Sequence, residues 1–198
     1  MSTDITLTLA GTSPIASATK ELYFGQALPT VAVTSLTIDQ TRGLLCQLGF
    51  IYSAGDYNFL GSSSGRIGKY QFDYLALQSL GLAKSAMTSN SDFRFEFNWM
   101  GMHGLPRSSS AFMSNTDLQD TLALQLAELN YESLYNSGGI LLTDNIGQRS
   151  GMLAVAHYVG AEAALQWRSG TDVVTDLTAD LPGIYMSGRY GTEMLPYQ

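Results

Sequence analysis

Apolar residues recur at helical spacing along most of the chain and alternate with polar ones only near its start. Asp4-Ile5-Thr6-Leu7-Thr8-Leu9 alternates, which is the period of a strand. Thr30-Val31-Ala32-Val33-Thr34 is short and β-branched and predicts a second strand. Pro14 and Pro29 punctuate the stretch between them. Residues 1–36 are too few to hold a core of their own. They predict an extended N-terminal arm, either a flexible leader or a strand added to another subunit.

From Thr37 the period changes. Thr37 can cap a helix with Asp39 and Gln40 in its first turn, and Leu44, Leu45, Leu48 and Ile51 follow at helical spacing. Residues 53–66 are rich in Gly, Ser, Asp and Asn and predict a loop. Tyr70, Leu75, Leu77, Leu80 and Leu82 predict a helix ending at Gly81. Residues 84–115 carry Phe93, Phe95, Phe97 and Trp99 and a Gly/Pro/Ser stretch over 101–110.

The strongest helical signal runs from about Asn115 to Asn136. Asn115 or Thr116 caps it, Leu118, Leu122, Leu126, Leu129 and Leu134 carry its apolar positions, and Gly138-Gly139 stops it. After a turn at Asp144-Asn145, short helices are expected over 150–159 and 160–168, the second closed by Gly170. Residues 171–198 read as an irregular tail. The pattern as a whole predicts a mainly α domain over 37–198, preceded by the arm at 1–36.

Composition narrows the partners. Charged residues are 14% of the 198, against a usual quarter. A surface so poor in charge fits a protein covered by neighbouring subunits, because interface cores are depleted of charge. The net charge of -7 and scattered Lys and Arg argue against nucleic acid, whose binders cluster their cations. No apolar run approaches the ~18 residues of a membrane span. No basic segment leads into an apolar one, so no signal peptide is expected.

Cys46 stands alone in an apolar helical stretch and is expected to be a buried small hydrophobe. With one Cys and only His103 and His157, neither a metal site nor a cofactor is expected. His157, in an apolar helix, reads as a core histidine with one satisfied ring nitrogen.

Four motifs, in order, resemble one family. Tyr52-Ser53-Ala54-Gly55-Asp56-Tyr57 is similar to Glu-Ser-Gly-Gly-Asp-Tyr, and Gly65-Arg66-Ile67-Gly68-Lys69-Tyr70-Gln71-Phe72 to Gly-x-x-Gly-Lys-Tyr-Gln-Phe. Phe112-Met113-Ser114-Asn115 with Gln119-Asp120 is similar to Phe-Leu-x-Asn followed by Gln-Glu. The run from Gly151 to Ala161 resembles an Ala-Ala-His-Leu-x-Gly-Ala segment. These are motifs of the lytic-transglycosylase and lysozyme-like domains of phage tail proteins and bacterial muralytic enzymes. The resemblance covers about three quarters of the chain and none of residues 1–36. It implies a lysozyme-like helical fold.

It also implies where the chemistry would be. In that family one Glu at the end of the first helix, kept protonated by apolar surroundings, protonates the glycosidic oxygen. Here Tyr52 occupies that position, and a phenol with a reference pKa near 10 is a poor donor to a sugar oxygen. Ala54 replaces a Gly, a further departure. Asp56 and Glu96 are the fallback acids, although Asp56 has the plainer reading of a turn residue and Glu96 that of a solvated face. Asp117 and Asp120 read as helix-start carboxylates favoured by the dipole, and Glu128 and Glu132 as a wet helix face. Tyr52, Tyr57, Tyr70 and Gln71 are the expected lining of a binding cleft, with packing under the loop an equal reading for Tyr70 and Gln71.

The resemblance therefore implies a non-catalytic lysozyme-like protein of a phage virion, a tail or baseplate component made in the host cytoplasm. It would meet other virion subunits through its N-terminal arm. Two alternatives stay open: a module that binds peptidoglycan or chitooligosaccharide, and an active peptidoglycan hydrolase with an unrecognised acid.

Overall fold

Thr37 opens the first helix as its sequence predicts. The computed structural model describes residues 5–6, 21–22, 33–62, 64–101, 105–171 and 180–193. In it, α1 spans Ile38–Ile51, and Thr37 and Gln40 cap it reciprocally, each side chain accepting the other's backbone N–H. Near the start of the chain Ile5–Thr6 (β1) pairs antiparallel with Glu21–Leu22 (β2), Ile5 opposite Leu22. The remainder of the predicted first strand, and residues 30–32 of the second, lie outside the described residues.

Val33 and Thr34 are not in a strand. Val33 is fully buried, its N–H donates to Thr41 Oγ1, and Leu36 N–H returns to the Val33 carbonyl in a turn. Among the described residues the core thus begins at Val33, four residues before the helical pattern does.

The loop after α1 is ordered into a small hairpin. Ile67 bridges Leu60 on one side and Phe72 on the other. Tyr70, expected in a helix, lies in this hairpin instead. The helix that follows, α2 (Tyr74–Ser79), is shorter than its pattern suggests because Asp73 caps it at Ala76 N–H. Two 3-10 turns, Asn90–Arg94 and Glu96–Asn98, carry the aromatic stretch, and Trp99 is fixed by an Nε1–H bond of 2.9 Å to the Phe93 carbonyl. A short α3 (Ser109–Met113) is capped by Ser108.

The long helix α4 is Thr116–Ser137, capped by Asn115 and ended by Gly138 at φ +79°, where a side chain would be strained. It is buried on more than one side: Leu118, Leu122 and Leu126 are in the core, and so are Gln119, Asp120, Gln125, Glu128 and Asn130. Each fully buried Leu of this kind contributes about 1.5–3 kcal/mol of transfer free energy. Glu128, expected on a wet face, is covered and accepts from Thr34 Oγ1 at 3.0 Å.

Helix α5 (Ile146–Val159) starts four residues earlier than its apolar run, because Asn145 and Gln148 form a capping box. α6 (Ala161–Arg168) follows Gly160 as expected.

Part of the predicted irregular tail is helical, and its residues 172–179 and 194–198 lie outside the described residues. Residues Leu181–Glu193 form α7, which packs against both α5 and α1. Its glycines make this possible. A Cβ at Gly188 would lie 2.6 Å from Ala154 Cβ and from the Ser150 carbonyl, and one at Gly191 would lie 2.5 Å from the Gly43 carbonyl. Residues that look like helix breakers in sequence are contact points in space. Pro182 sits in the first turn, where its missing N–H removes no helical bond. The described part of the chain is mainly helical, around one hydrophobic core.

Candidate functional site

The position of interest is set by where α1 stops. Tyr52 is its C-cap, and Ser53 locks the exit: its hydroxyl donates to the Gly49 carbonyl and, 2.6 Å away, lies against the Lys69 carbonyl. Ala54 and Gly55 follow at φ +51° and +84°. The turn therefore needs two left-handed residues in succession, and Ala54 adopts a conformation that costs a non-glycine residue about 1–2 kcal/mol. Asp56 takes the turn role, accepting Asn58 N–H at 2.8 Å, and is exposed.

Tyr52 is 36% exposed. Its ring meets the buried Tyr158 edge-on at 5.1 Å, and Tyr158 donates its hydroxyl to the Leu48 carbonyl of α1. The Tyr52 hydroxyl makes no hydrogen bond among the described residues. Burial and the negative charge of Asp180 push its pKa above the ordinary phenol value, with Arg66 opposing. Tyr52 is thus a neutral phenol throughout the physiological range, and has no proton to offer a sugar oxygen at a useful rate.

Beside this corner lies a dense polar cluster. Asp120 is buried in the first turns of α4 and accepts from Tyr57 (2.8 Å) and Tyr70 (2.6 Å), with the Lys69 ammonium at 3.4 Å. Lys69 also donates to the Tyr57 hydroxyl at 2.9 Å. Burial works against the Lys69 charge, but Tyr57 and Asp120 outweigh it and raise its pKa. Burial raises the pKa of Tyr70 strongly, and Asp120 adds to it.

The neighbouring Gln119 is fully buried and is a clamp. Its Oε1 accepts Lys69 N–H at 2.9 Å and its Nε2 donates to the carbonyls of Tyr57 and Met113. Gly68 is needed for this approach, because a Cβ there would collide with the Gln119 amide.

Two further buried groups hold the hairpin to α5. Arg66 donates to the Tyr158 carbonyl at 2.9 Å and pairs with Asp73 at 3.1 Å. His157 is buried, as expected, with Nε2 donating to the Tyr70 carbonyl at 2.7 Å. Burial pushes its pKa down to about 4, the Tyr70 bond opposing and Arg66 assisting.

The structure sorts the expected cleft residues into two groups. Tyr52 and Tyr57 reach the surface, whereas Tyr70 and Gln71 are buried beneath the loop. Gln71 stands at φ +53° and its amide donates to the Gly68 carbonyl. Glu96 is exposed in the second 3-10 turn, 44 residues beyond Tyr52 in the chain. Cys46, expected to be buried, is exposed on α1. Asp120 was the residue that sequence reasoning undervalued. The signal was the Gln119-Asp120 pair itself, but its partners lie 50 and more residues away.

Among the described residues three carboxylates are buried, and each is engaged: Asp120 as above, Glu128 by Thr34, and Asp144 by a two-pronged bond to Arg168 at 2.7 and 2.8 Å. No group of three or more His, Cys, Asp or Glu side chains among them could hold a metal ion. Among the described residues no helix is long and apolar enough to cross a membrane. Comparison with known protein families, curated proteins and solved structures finds no match.

Proposed function

We propose that this chain is a lysozyme-like structural protein of a phage tail or baseplate, one that has kept a muralytic scaffold and lost its chemistry. The observation that carries the reading is Tyr52. It ends α1, where the motif resemblance places a catalytic Glu, and it presents a neutral phenol with a raised pKa. The surrounding scaffold is intact in its polar detail: Ser53, the left-handed turn, Gln119 and Asp120 all make specific bonds. The turn bond of Asp56 and the exposure of Glu96 disfavour both as the replacement acid. The low charge content favours a surface covered by neighbouring subunits.

A turbidity assay on peptidoglycan tests this, with Tyr52→Glu beside the wild type. The wild type is expected to be inert and the variant to gain slow clearing. Clearing by the wild type would overturn the reading. The half-exposed ring of Tyr52 favours a second reading, in which the corner binds chitooligosaccharide without cutting it. Calorimetry with such oligosaccharides at millimolar concentration decides this: no heat removes it.

A further inference from the structure

A cleft of about 300 Å³ lies between α5, α6 and α7, lined by Gln148, Met152, Trp167, Arg168 and Tyr185. It is separate from the Tyr52 corner. Tyr158, which touches Tyr52, and Gln148 stand ten residues apart on α5, or about 15 Å of helix. We propose that this cleft is a binding site for one neutral sugar ring, independent of the function proposed above.

The walls are built and fixed. The Tyr185 ring lies directly on the backbone of Gly151, where a Cβ would come within 2.5 Å of it. Trp167 leans against it, ring centres 5.5 Å apart and planes at 50°. The two rings form an angled aromatic wall over the buried Met152. Arg168 is held by Asp144 and by the Gly139 carbonyl at 2.8 Å. Gln148 is held by its capping bond to Asn145 N–H. A site of this size and rigidity is at the lower end of ordinary ligand pockets.

Charge and donor count select the ligand class. Arg168 already has its counter-ion in Asp144, so an anion gains little, and a cation meets the guanidinium. An apolar ligand would leave polar edges unpaired. Those edges are donor-rich: Gln148 Nε2, Arg168 Nε and the Tyr185 hydroxyl make no hydrogen bond among the described residues. A ring with one apolar face and a rim of hydroxyl acceptors satisfies both the aromatic wall and these donors.

The test uses the full chain, titrated with methyl glucoside, N-acetylglucosamine and cellobiose by calorimetry and tryptophan fluorescence. The chain has two tryptophans, and Trp99 is buried, so a fluorescence change reports on Trp167. Saturable binding near 1 mM for at least one sugar is expected, on the order of the weakest specific affinities. Trp167→Ala should abolish it while Trp99 emission still reports a folded chain. If that variant does not fold, Gln148→Leu should weaken binding roughly fivefold, as for one lost hydrogen bond. No saturable signal with any of the three sugars would overturn the proposal. So would binding that Tyr52→Ala destroys and Trp167→Ala spares, which puts the sugar at the α1 corner. Tighter binding of adenosine than of every sugar would also overturn it.

Discussion

Two tyrosines, Tyr52 and Tyr70, stand on either side of Ser53's link between α1 and the hairpin, and their hydroxyls are treated in opposite ways. Tyr70 is fully buried and donates to Asp120 at 2.6 Å. Tyr52 is 36% exposed and donates to nothing described. Around the Tyr70 hydroxyl, Tyr57, Lys69 and Asp120 close a network whose charges cancel, with Gln119 beneath it. Around Tyr52 only ring packing remains. The difference teaches that stability here is invested in the scaffold beside the corner, and that the corner itself is free to vary. A position whose side chain makes no hydrogen bond can change its polar group at little cost to the fold.

The sharpest way to break this comparison is to remove the centre of the network. Asp120→Ala leaves a buried ammonium and two phenols without their acceptor and should cost about 3–5 kcal/mol in chemical denaturation. A loss below about 1 kcal/mol would mean that water replaces the carboxylate easily.

The second test is pH. His157 has a folded pKa near 4, below its unfolded value of 6.5, so the unfolded chain takes up the proton first as pH falls. Its contribution is complete above pH 6.5 and is lost on the way down to about 4. Between pH 7.5 and 5 the loss should be about 2 kcal/mol. Unfolding free energies across this window should show that slope, and His157→Gln should flatten it.

Next comes the pair itself. Tyr70→Phe strips one donor from a buried carboxylate and should cost about 1–3 kcal/mol, whereas Tyr52→Phe should cost less than about 0.5 kcal/mol. Equal costs would erase the distinction. The smallest effect is expected at Ala54→Gly. Relief of the left-handed strain outweighs the added freedom of the unfolded chain by at most about 1 kcal/mol, so melting should rise slightly.

How much of this could be read from the sequence depended on whether the signal was local. α1 and α4 were legible because their caps, Thr37, Asn115 and Gly138, sit next to the helices they start and stop. α7 was not. Pro182, Gly183, Gly188 and Gly191 argue against a helix taken alone, and only the close approach of α5 and α1 explains why side chains are missing at Gly188 and Gly191. Tyr70 was assigned to a helix because its spacing to Leu77 fits one, and the hairpin that claims it is held by bonds to α4 and α5. Cys46 followed the apolar run in sequence and still faces outward. In the candidate site, motif order located Tyr52 and the Gln119-Asp120 pair. It could not reveal that Asp120 gathers Tyr57, Lys69 and Tyr70, because those contacts span 50 to 63 residues.

The seam between α7 and α1 has a kinetic consequence. Ser187 donates to Gln47 at 3.0 Å, and Gly191 lies against Gly43. These contacts join segments almost a whole domain apart in the chain, so their loop must close before they stabilise anything. During synthesis at about 5–20 residues per second, residue 191 appears roughly 7–30 s after residue 43. For that interval the small-residue faces of α1 and α5 have no cover. α7 is therefore a clasp fastened only after α1 and α5 have emerged, and a nascent chain stalled before it would present an open seam to chaperones and proteases.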